Sequence, residues 1–425
     1  MTLKTHDRPY DIVVFGASGY TGACVAEHIT ASLPTTLKWA LAGRSHDKLT
    51  RLAAQLKELN ADRNQPAIEI VAATDEDLDK LAKKTFVLIT TVGPYIKYGE
   101  PAFRACAQNG THYFDVTGEV PFSARMIRKY EAAAKQSGAI MLPQCGIESA
   151  PADLVTWMVA KTIRQQLKAN TADVTVAMAA PSGGTLNTVF TGAELVTLKE
   201  LRETMAPFAL SPVLKNNPTR GQFSILQLLT GIIRVPNLGL LTTALAGSSD
   251  AALVERTWGL LSSTPSREQE SYGPNFSFCE YARVRSRLQG FIIHWGLAVG
   301  SVLLFTLPPL RWLARRFVYQ PGEGATKEQS KRDRIECRAI GNPDFDVATE
   351  TGKPRQQAFG RVLYKGSIYA LTGALVAEGA LTVLEDDVRL DGGIYTAALL
   401  GQGFIDRLEK AGVEFEAKVI DVSEQ

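Results

Sequence analysis

Short apolar runs alternate with segments of helical period through the first third of the chain. The runs are Ile12 to Phe15, Trp39 to Ala42, Ile68 to Val71, Phe86 to Ile89, Tyr113 to Val116 and Ile140 to Leu142. Segments of helical length lie between them, such as 46–59 and 122–137. Thr74 followed by Asp77 reads as a capping box opening a helix over 75–83. Continuous apolar strands separated by helices predict a parallel sheet covered on both faces. Six strands in this order predict an α/β, doubly wound Rossmann-type domain over residues 1–150.

The rhythm changes near residue 151. Pro151 suits a first helical position, and the pattern predicts a helix to about Lys168, then a strand over 174–180. Ser182-Gly-Gly-Thr185 and another helix follow. Residues 205–290 mix short patterns punctuated by Pro and Gly and predict no clear order. The polar stretch 320–338 reads as a loop. A helix over 368–384, a Gly392-Gly393 turn, a closing helix to about Lys410 and a short strand over 415–422 complete the chain.

Composition narrows the function. The 425 residues carry 46 basic and 44 acidic side chains, a formal net charge of +2. Such a balance gives no field to gather nucleic acid. The five cysteines are widely spaced with no Cys-x-x-Cys, which argues against a disulfide framework or a zinc site and for a reducing compartment. The polar N-terminus leads straight into a strand, so a cleaved signal peptide is not expected.

The most informative segment is Gly16-Ala-Ser18-Gly19-Tyr20-Thr21-Gly22, directly after the first strand and opening a helix. Gly16 permits the tight turn, Gly19 lets backbone approach a pyrophosphate, and Gly22 lets helix and strand pack closely. The helix N-terminus offers free N–H groups and a positive dipole end, and Ser18 and Thr21 add hydroxyl donors. The second strand ends in Ala42-Gly43-Arg44-Ser45, where NAD-binding domains usually carry an acid for the ribose 2′-hydroxyl. A guanidinium beside Ser45 suits a 2′-phosphate instead, so the expected cofactor is NADPH.

Further candidates follow the later strands, whose carboxyl ends line the ligand crevice of such sheets. Val92-Gly93-Pro94 brings backbone close to a nicotinamide ribose. Tyr95 either orients substrate and donates a proton or simply packs. Asp115 and Glu119 follow the fifth strand and hold ribose or substrate; a helix-capping role fits Glu119 equally well. Cys145 ends the sixth strand, with no His nearby in sequence to make it a nucleophile. No Ser-His-Asp or metal constellation is visible, so the catalytic candidates are Tyr95 and Glu119.

These motifs resemble the saccharopine dehydrogenase-like oxidoreductases, the branch with mycobacterial trans-acting enoyl reductases and animal lipid-droplet homologues. The similarity rests on Gly16–Gly22, Ala42-Gly-Arg44, Val92–Tyr95 with Gly99-Glu-Pro101, Gly110–Asp115 through Gly118-Glu119, and Cys145–Asp153. Ser182–Thr185, Pro321–Gly324 and Gly392–Thr396 continue it. The resemblance implies an inserted α+β substrate domain over 151–365 and C-terminal helices, 366–425, returning to the Rossmann domain. It also implies a small-molecule substrate, either a lipid-like or polyketide-like acyl chain reduced at C=C or an amino-acid-derived imine reduced at C=N. A third reading is a non-catalytic nucleotide-binding protein at a membrane or lipid droplet.

Residues 291–307 carry no Asp, Glu, Lys or Arg and are followed by Pro308-Pro309 and by Arg311, Arg315 and Arg316 among apolar residues. This 291–317 stretch suits peripheral attachment to a membrane or lipid droplet from the cytoplasmic side. A core helix or a homodimer surface fits the same pattern.

Overall fold

The computed structural model describes residues 3–179, 195–219, 224–307, 309, 333–345 and 356–422. The strands, in chain order, are β1 (Tyr10–Phe15), β2 (Trp39–Gly43), β3 (Ala67–Ile70), β4 (Thr85–Thr90), β5 (His112–Asp115), β6 (Ile140–Leu142) and β7 (Asn170–Ala179). They continue as β8 (Ile233–Val235), β9 (Gly239–Thr243), β10 (Ser277–Arg283), β11 (Arg334–Asp344), β12 (Gln356–Lys365), β13 (Gly393–Ile394) and β14 (Glu414–Asp421). The first six match the apolar runs to within a residue or two. Helices between them are α1 (Tyr20–Ser32), α2 (His46–Leu59), α3 (Asp75–Lys84), α4 (Tyr95–Tyr98), α5 (Glu100–Asn109) and α6 (Val120–Ser137). Thr74 Oγ1 accepts from the Asp77 amide and caps α3, whereas the Asp77 carboxylate turns to the amide of Ala72.

The first sheet has the order β13-β6-β5-β4-β1-β2-β3, all parallel. The order reverses at β1/β4, which sets the crevice above their carboxyl ends. Val13, Val14, Leu41, Leu88 and Ile89 have no solvent exposure, as strands covered on both faces require.

The second sheet is mixed, in the order β14-β12-β11-β7-β10-β9-β8. Helix α7 (Ala150–Thr162) runs from the first sheet toward it and continues as a π-helical turn over Ile163–Leu167. Gly341 of β11 and Gly360 of β12 lie under Val159 of α7, where a side chain would collide. The remaining helices are α8 (Leu198–Thr204), α9 (Ile225–Thr230), α10 (Gly247–Ser263), α11 (Arg287–Thr306), α12 (Ile368–Glu385) and α13 (Gln402–Lys410).

Two expectations are corrected. Residues 334–338, read as loop, are strand. Ile335 and Cys337 are buried, while Glu336 takes Arg283, Arg338 and Arg361 as ion-pair partners on the other face. The C-terminal segment also serves both sheets. Helix α12 packs on α1, with Gly373 against the Cys24 backbone, and β13 extends the first sheet. Strand β14, however, pairs with β12 in the second. The expectations for Ala180, Ser182–Thr185 with its following helix, Pro308, Arg311–Phe317 and Pro321–Gly324 lie outside the described residues.

Candidate active site

The glycine loop forms the floor of the crevice. Gly16 has φ +87°, a conformation that side chains rarely adopt, and a Cβ there would press on Val92 and Thr91 within 2.9 Å. Gly22 sits so close to the Gly16 carbonyl and the Ala17 backbone that any side chain would force the helix off the loop. Gly19 differs. Its φ of −81° suits any residue, and a Cβ would meet only the Gly16 oxygen, at 3.3 Å. The position therefore faces open crevice rather than core.

Helix α1 starts at this loop with no side-chain cap and no acid in its first turn. Its leading N–H groups and positive end are left for an anion, so the residues present fit a pyrophosphate. Ser18 is exposed beside them and Thr21 half-buried. Tyr20 turns its ring edge-on to Tyr369 of α12, 4.6 Å between centroids, so it also ties the loop to the C-terminal helix.

At the end of β2, Arg44 is exposed and forms no ion pair with a described residue. Ser45 is the N-cap of α2, yet its hydroxyl makes no capping bond. An uncommitted guanidinium and hydroxyl stand where a 2′-phosphate would lie.

After β4, Thr91 donates toward the carbonyls of Phe15 and Gly16 and holds the 91–94 loop against the glycines. The Gly93–Pro94 peptide is cis. Here the catalytic candidates take other roles. Tyr95 is buried; its hydroxyl donates to the Thr90 carbonyl at 2.9 Å and accepts weakly from the Val116 amide. Burial holds its phenol well above the ordinary range. Glu119 accepts from the amides of Tyr95, at 2.8 Å, and Ile96, at 2.7 Å. It thus caps α4, a helix other than its own, and burial pushes it up to about 6. Together the two residues shape the 92–98 loop instead of presenting a proton to the crevice.

Asp115 and Cys145 are corrected likewise. The Asp115 carboxylate is fully buried, taking the Tyr113 hydroxyl at 2.8 Å and the amides of Gln144 and Thr117 at 2.9 and 3.0 Å. It has no face left for a ribose. Burial raises it to about 6 against those hydrogen bonds. The Cys145 thiol is fully buried in the core, and burial drives its pKa upward, so it presents nothing to the crevice.

One carboxylate beside the crevice is partly exposed. Glu148 follows β6 and lies against Gly118, in space a Cβ there would fill. Its neighbour Ser149 donates to Asp250 of α10, 3.2 Å away, and Asp250 bonds with Glu280 of β10. Burial pushes both of these carboxyls up. Glu280 also walls a cavity of about 260 Å³ between β9, β10, α9, α10 and α11, together with Leu228, Ile232, Thr243, Phe278 and His294. Sequence reading passed over this cavity because its walls come from segments far apart in the chain.

A parallel sheet with a reversed strand order, a glycine loop and an uncapped helix at that reversal defines a dinucleotide-binding domain. Residues 12–142 match the saccharopine dehydrogenase NADP binding domain. The trans-acting enoyl reductase of Mycobacterium leprae is 28% identical, covering 97% of this chain and 98% of its own. The human saccharopine dehydrogenase-like oxidoreductase is 29% identical, covering 99% and 100%. Saccharopine dehydrogenase (L-Glu forming) from Saccharomyces cerevisiae has the same fold, with TM-score 0.55 and 12% identity over 96% of this chain and 99% of that one. The chain therefore carries a saccharopine dehydrogenase-type NADP binding domain over residues 12–142 and is an NAD(P)-dependent oxidoreductase, with NADP(H) as its cofactor.

Proposed function

We propose that this oxidoreductase reduces a C=C bond in a lipid-like acyl substrate. The observation that carries the reading is the character of the cavity wall. Its described lining is mostly apolar, with Glu280 as its charged member and no Arg or Lys. An amino-diacid imine, the substrate type of C=N reduction in this family, needs cationic clamps for its carboxylates. An acyl chain needs none and gains from leaving water.

NADPH, when bound, supplies the hydride. The chain supplies the rest. The glycine loop and α1 fix the pyrophosphate, and Arg44 and Ser45 take the 2′-phosphate. Thr91 and the Tyr95–Glu119 clamp hold the loop over which substrate lies. Glu148 is the partly exposed acid on the crevice wall and delivers the proton that balances the hydride.

The test is NADPH oxidation, followed by nicotinamide absorbance, with two acceptors. One is a medium-chain trans-2-enoyl thioester; the other is an oxo-acid mixed with an amino acid. Oxidation with the thioester supports the reading. Oxidation with the imine-forming pair alone overturns it in favour of C=N reduction. No oxidation with either, in protein that binds NADPH, leaves a nucleotide-binding protein without turnover.

A further inference from the structure

Helices α9 and α11 carry an unusual surface for folded protein. Ile225 is 77% exposed and Leu226, Leu228 and Leu229 nearly as open. On α11, Leu288, Phe291, Ile292, Trp295, Val299 and Val302 are all exposed. Helix α12 has similar hydropathy but lies mostly buried, whereas an 18-residue window of α11 is 6% buried. A continuous apolar face of this extent marks an interaction surface.

The two helices are built as one unit. Gly231, in the left-handed conformation at the end of α9, lies against the His294 ring, where no side chain would fit. Gly290 similarly receives Ile232. The last carbonyls of α9 would ordinarily need water. Here His294 Nε2 lies 3.2 Å from the Leu228 oxygen, and Trp295 Nε1 donates to the Leu229 oxygen at 3.1 Å. The Thr243 hydroxyl faces His294 Nδ1 at 2.7 Å, so both ring nitrogens lie against polar partners. Thr230 and Thr306 return their hydroxyls to carbonyls of their own helices. Polar groups are closed inward while apolar side chains point out, which is what a surface in contact with hydrocarbon requires.

Charge identifies the other side of the contact. No Asp, Glu, Lys or Arg occurs from Leu288 to Leu307, and the exposed Arg285 and Arg287 stand at the base of α11, next to Arg283, which pairs with Glu336. An apolar face rimmed by arginine is complementary to anionic phospholipid. Topology decides how deep it goes. The 20 residues of α11 reach about 30 Å, the thickness of a bilayer core. Yet β10 before it and β11 after it lie in one sheet, so the chain must return to the side it left. The intervening sequence holds Arg311, Arg315, Arg316, Glu323, Lys327, Glu328, Lys331 and Arg332 and cannot recross.

We propose that α9 and α11 form a monotopic platform that seats the protein on an anionic phospholipid bilayer, inserting into one leaflet. Leu228 and His294 belong both to the platform and to the 260 Å³ cavity, so the cavity borders the lipid surface. An apolar ligand passes from leaflet to cavity without crossing bulk water. The attachment does not depend on which bond is reduced.

The test is flotation of the full chain with vesicles of equal parts phosphatidylcholine and phosphatidylglycerol. The expected result is that the protein floats, and floats less with phosphatidylcholine alone. Leu226→Glu and Ile292→Glu replace exposed side chains and should each lower partitioning by about tenfold, below the cost at a bilayer centre. Calorimetric NADPH binding should be unchanged in both, showing that the variants fold. Lipids brominated on their acyl chains should quench tryptophan emission, and Trp295→Phe should remove most of that quenching. Protein that stays unbound and monomeric without detergent overturns the proposal. So does a dimer that Ile292→Glu splits while vesicles bind neither form, which would make the face a contact between two copies. Reduction of a soluble enoyl thioester is measured without vesicles, so either reading can fail without the other.

Discussion

Replacing Asp115 by Asn separates a structural carboxyl from a ligand-binding one. In the wild type, Oδ1 accepts two amides and Oδ2 accepts the Tyr113 hydroxyl. An Asn keeps the first oxygen and offers Nδ2 to the Tyr113 oxygen, so the buried network survives. What changes is titration. The folded carboxyl is raised to about 6 from an ordinary 3.8, so the folded state holds its proton more tightly than the unfolded chain. The stability from this proton is fully present below the unfolded value. It is lost as pH rises through about 6. At about 1.4 kcal/mol per pKa unit, the loss approaches about 3 kcal/mol. Asp115→Asn cannot titrate and escapes it. Thermal melts of both proteins at pH 4 and pH 8 should therefore show the variant gaining a few degrees on the wild type across that range. NADPH affinity should be equal in both. A parallel pH response would refute the assigned burial cost, and a large loss of NADPH affinity would restore Asp115 as a cofactor ligand.

Two other substitutions test neighbouring assignments. Arg44→Ala should weaken NADPH by about 1–3 kcal/mol and leave NADH nearly unchanged, by calorimetric titration; equal losses would remove the 2′-phosphate from this site. Tyr95→Phe loses the hydroxyl's bond to the Thr90 carbonyl and its weak contact with the Val116 amide, and should cost about 1–2 kcal/mol of stability, with turnover within a few fold. A drop in turnover of about a hundredfold or more would mark the phenol as the proton donor after all.

The first sheet was legible because its information is local. Each of its first six strands is an apolar run of its own, and the glycine loop announces itself within seven residues; β13, a two-residue strand from late in the chain, read only as a Gly392-Gly393 turn. Gly19 and Gly22 look alike in sequence but divide in space, one facing the crevice and one packed against the Gly16 carbonyl. The second sheet was less legible. Strand β10 pairs parallel with β7, about a hundred residues earlier, and no short-range pattern encodes that pairing. Strand β11 looked like polar loop because Arg334, Glu336 and Arg338 dominate it. Its alternation with Ile335 and Cys337 was the signal available, and the cross-strand partner Arg361 explains why those charges are tolerated. The roles of Tyr95 and Glu119 were hidden for the same reason. Residue type suggested proton chemistry, but 24 residues of separation gave no hint that the Glu119 carboxylate would cap the turn at Tyr95. The cavity wall, drawn from Leu228, Thr243, Ala251, Glu280 and His294, joins distant elements and left no linear trace.

If the Gly16–Gly22 loop holds the NADPH pyrophosphate, Gly19→Val removes the room the phosphates need. The backbone there accepts valine, and a Cβ meets only the Gly16 oxygen, so the fold should stand while the added methyls occupy phosphate space. Calorimetric titration of NADPH into this variant, with a thermal melt on the same sample, reads both quantities. The expected result is no measurable binding and a melting temperature lowered by no more than a few degrees, since the Gly16 oxygen must ease back slightly from its 3.3 Å contact with the new Cβ. Wild-type NADPH affinity in a folded Gly19→Val protein would contradict that placement of the pyrophosphate.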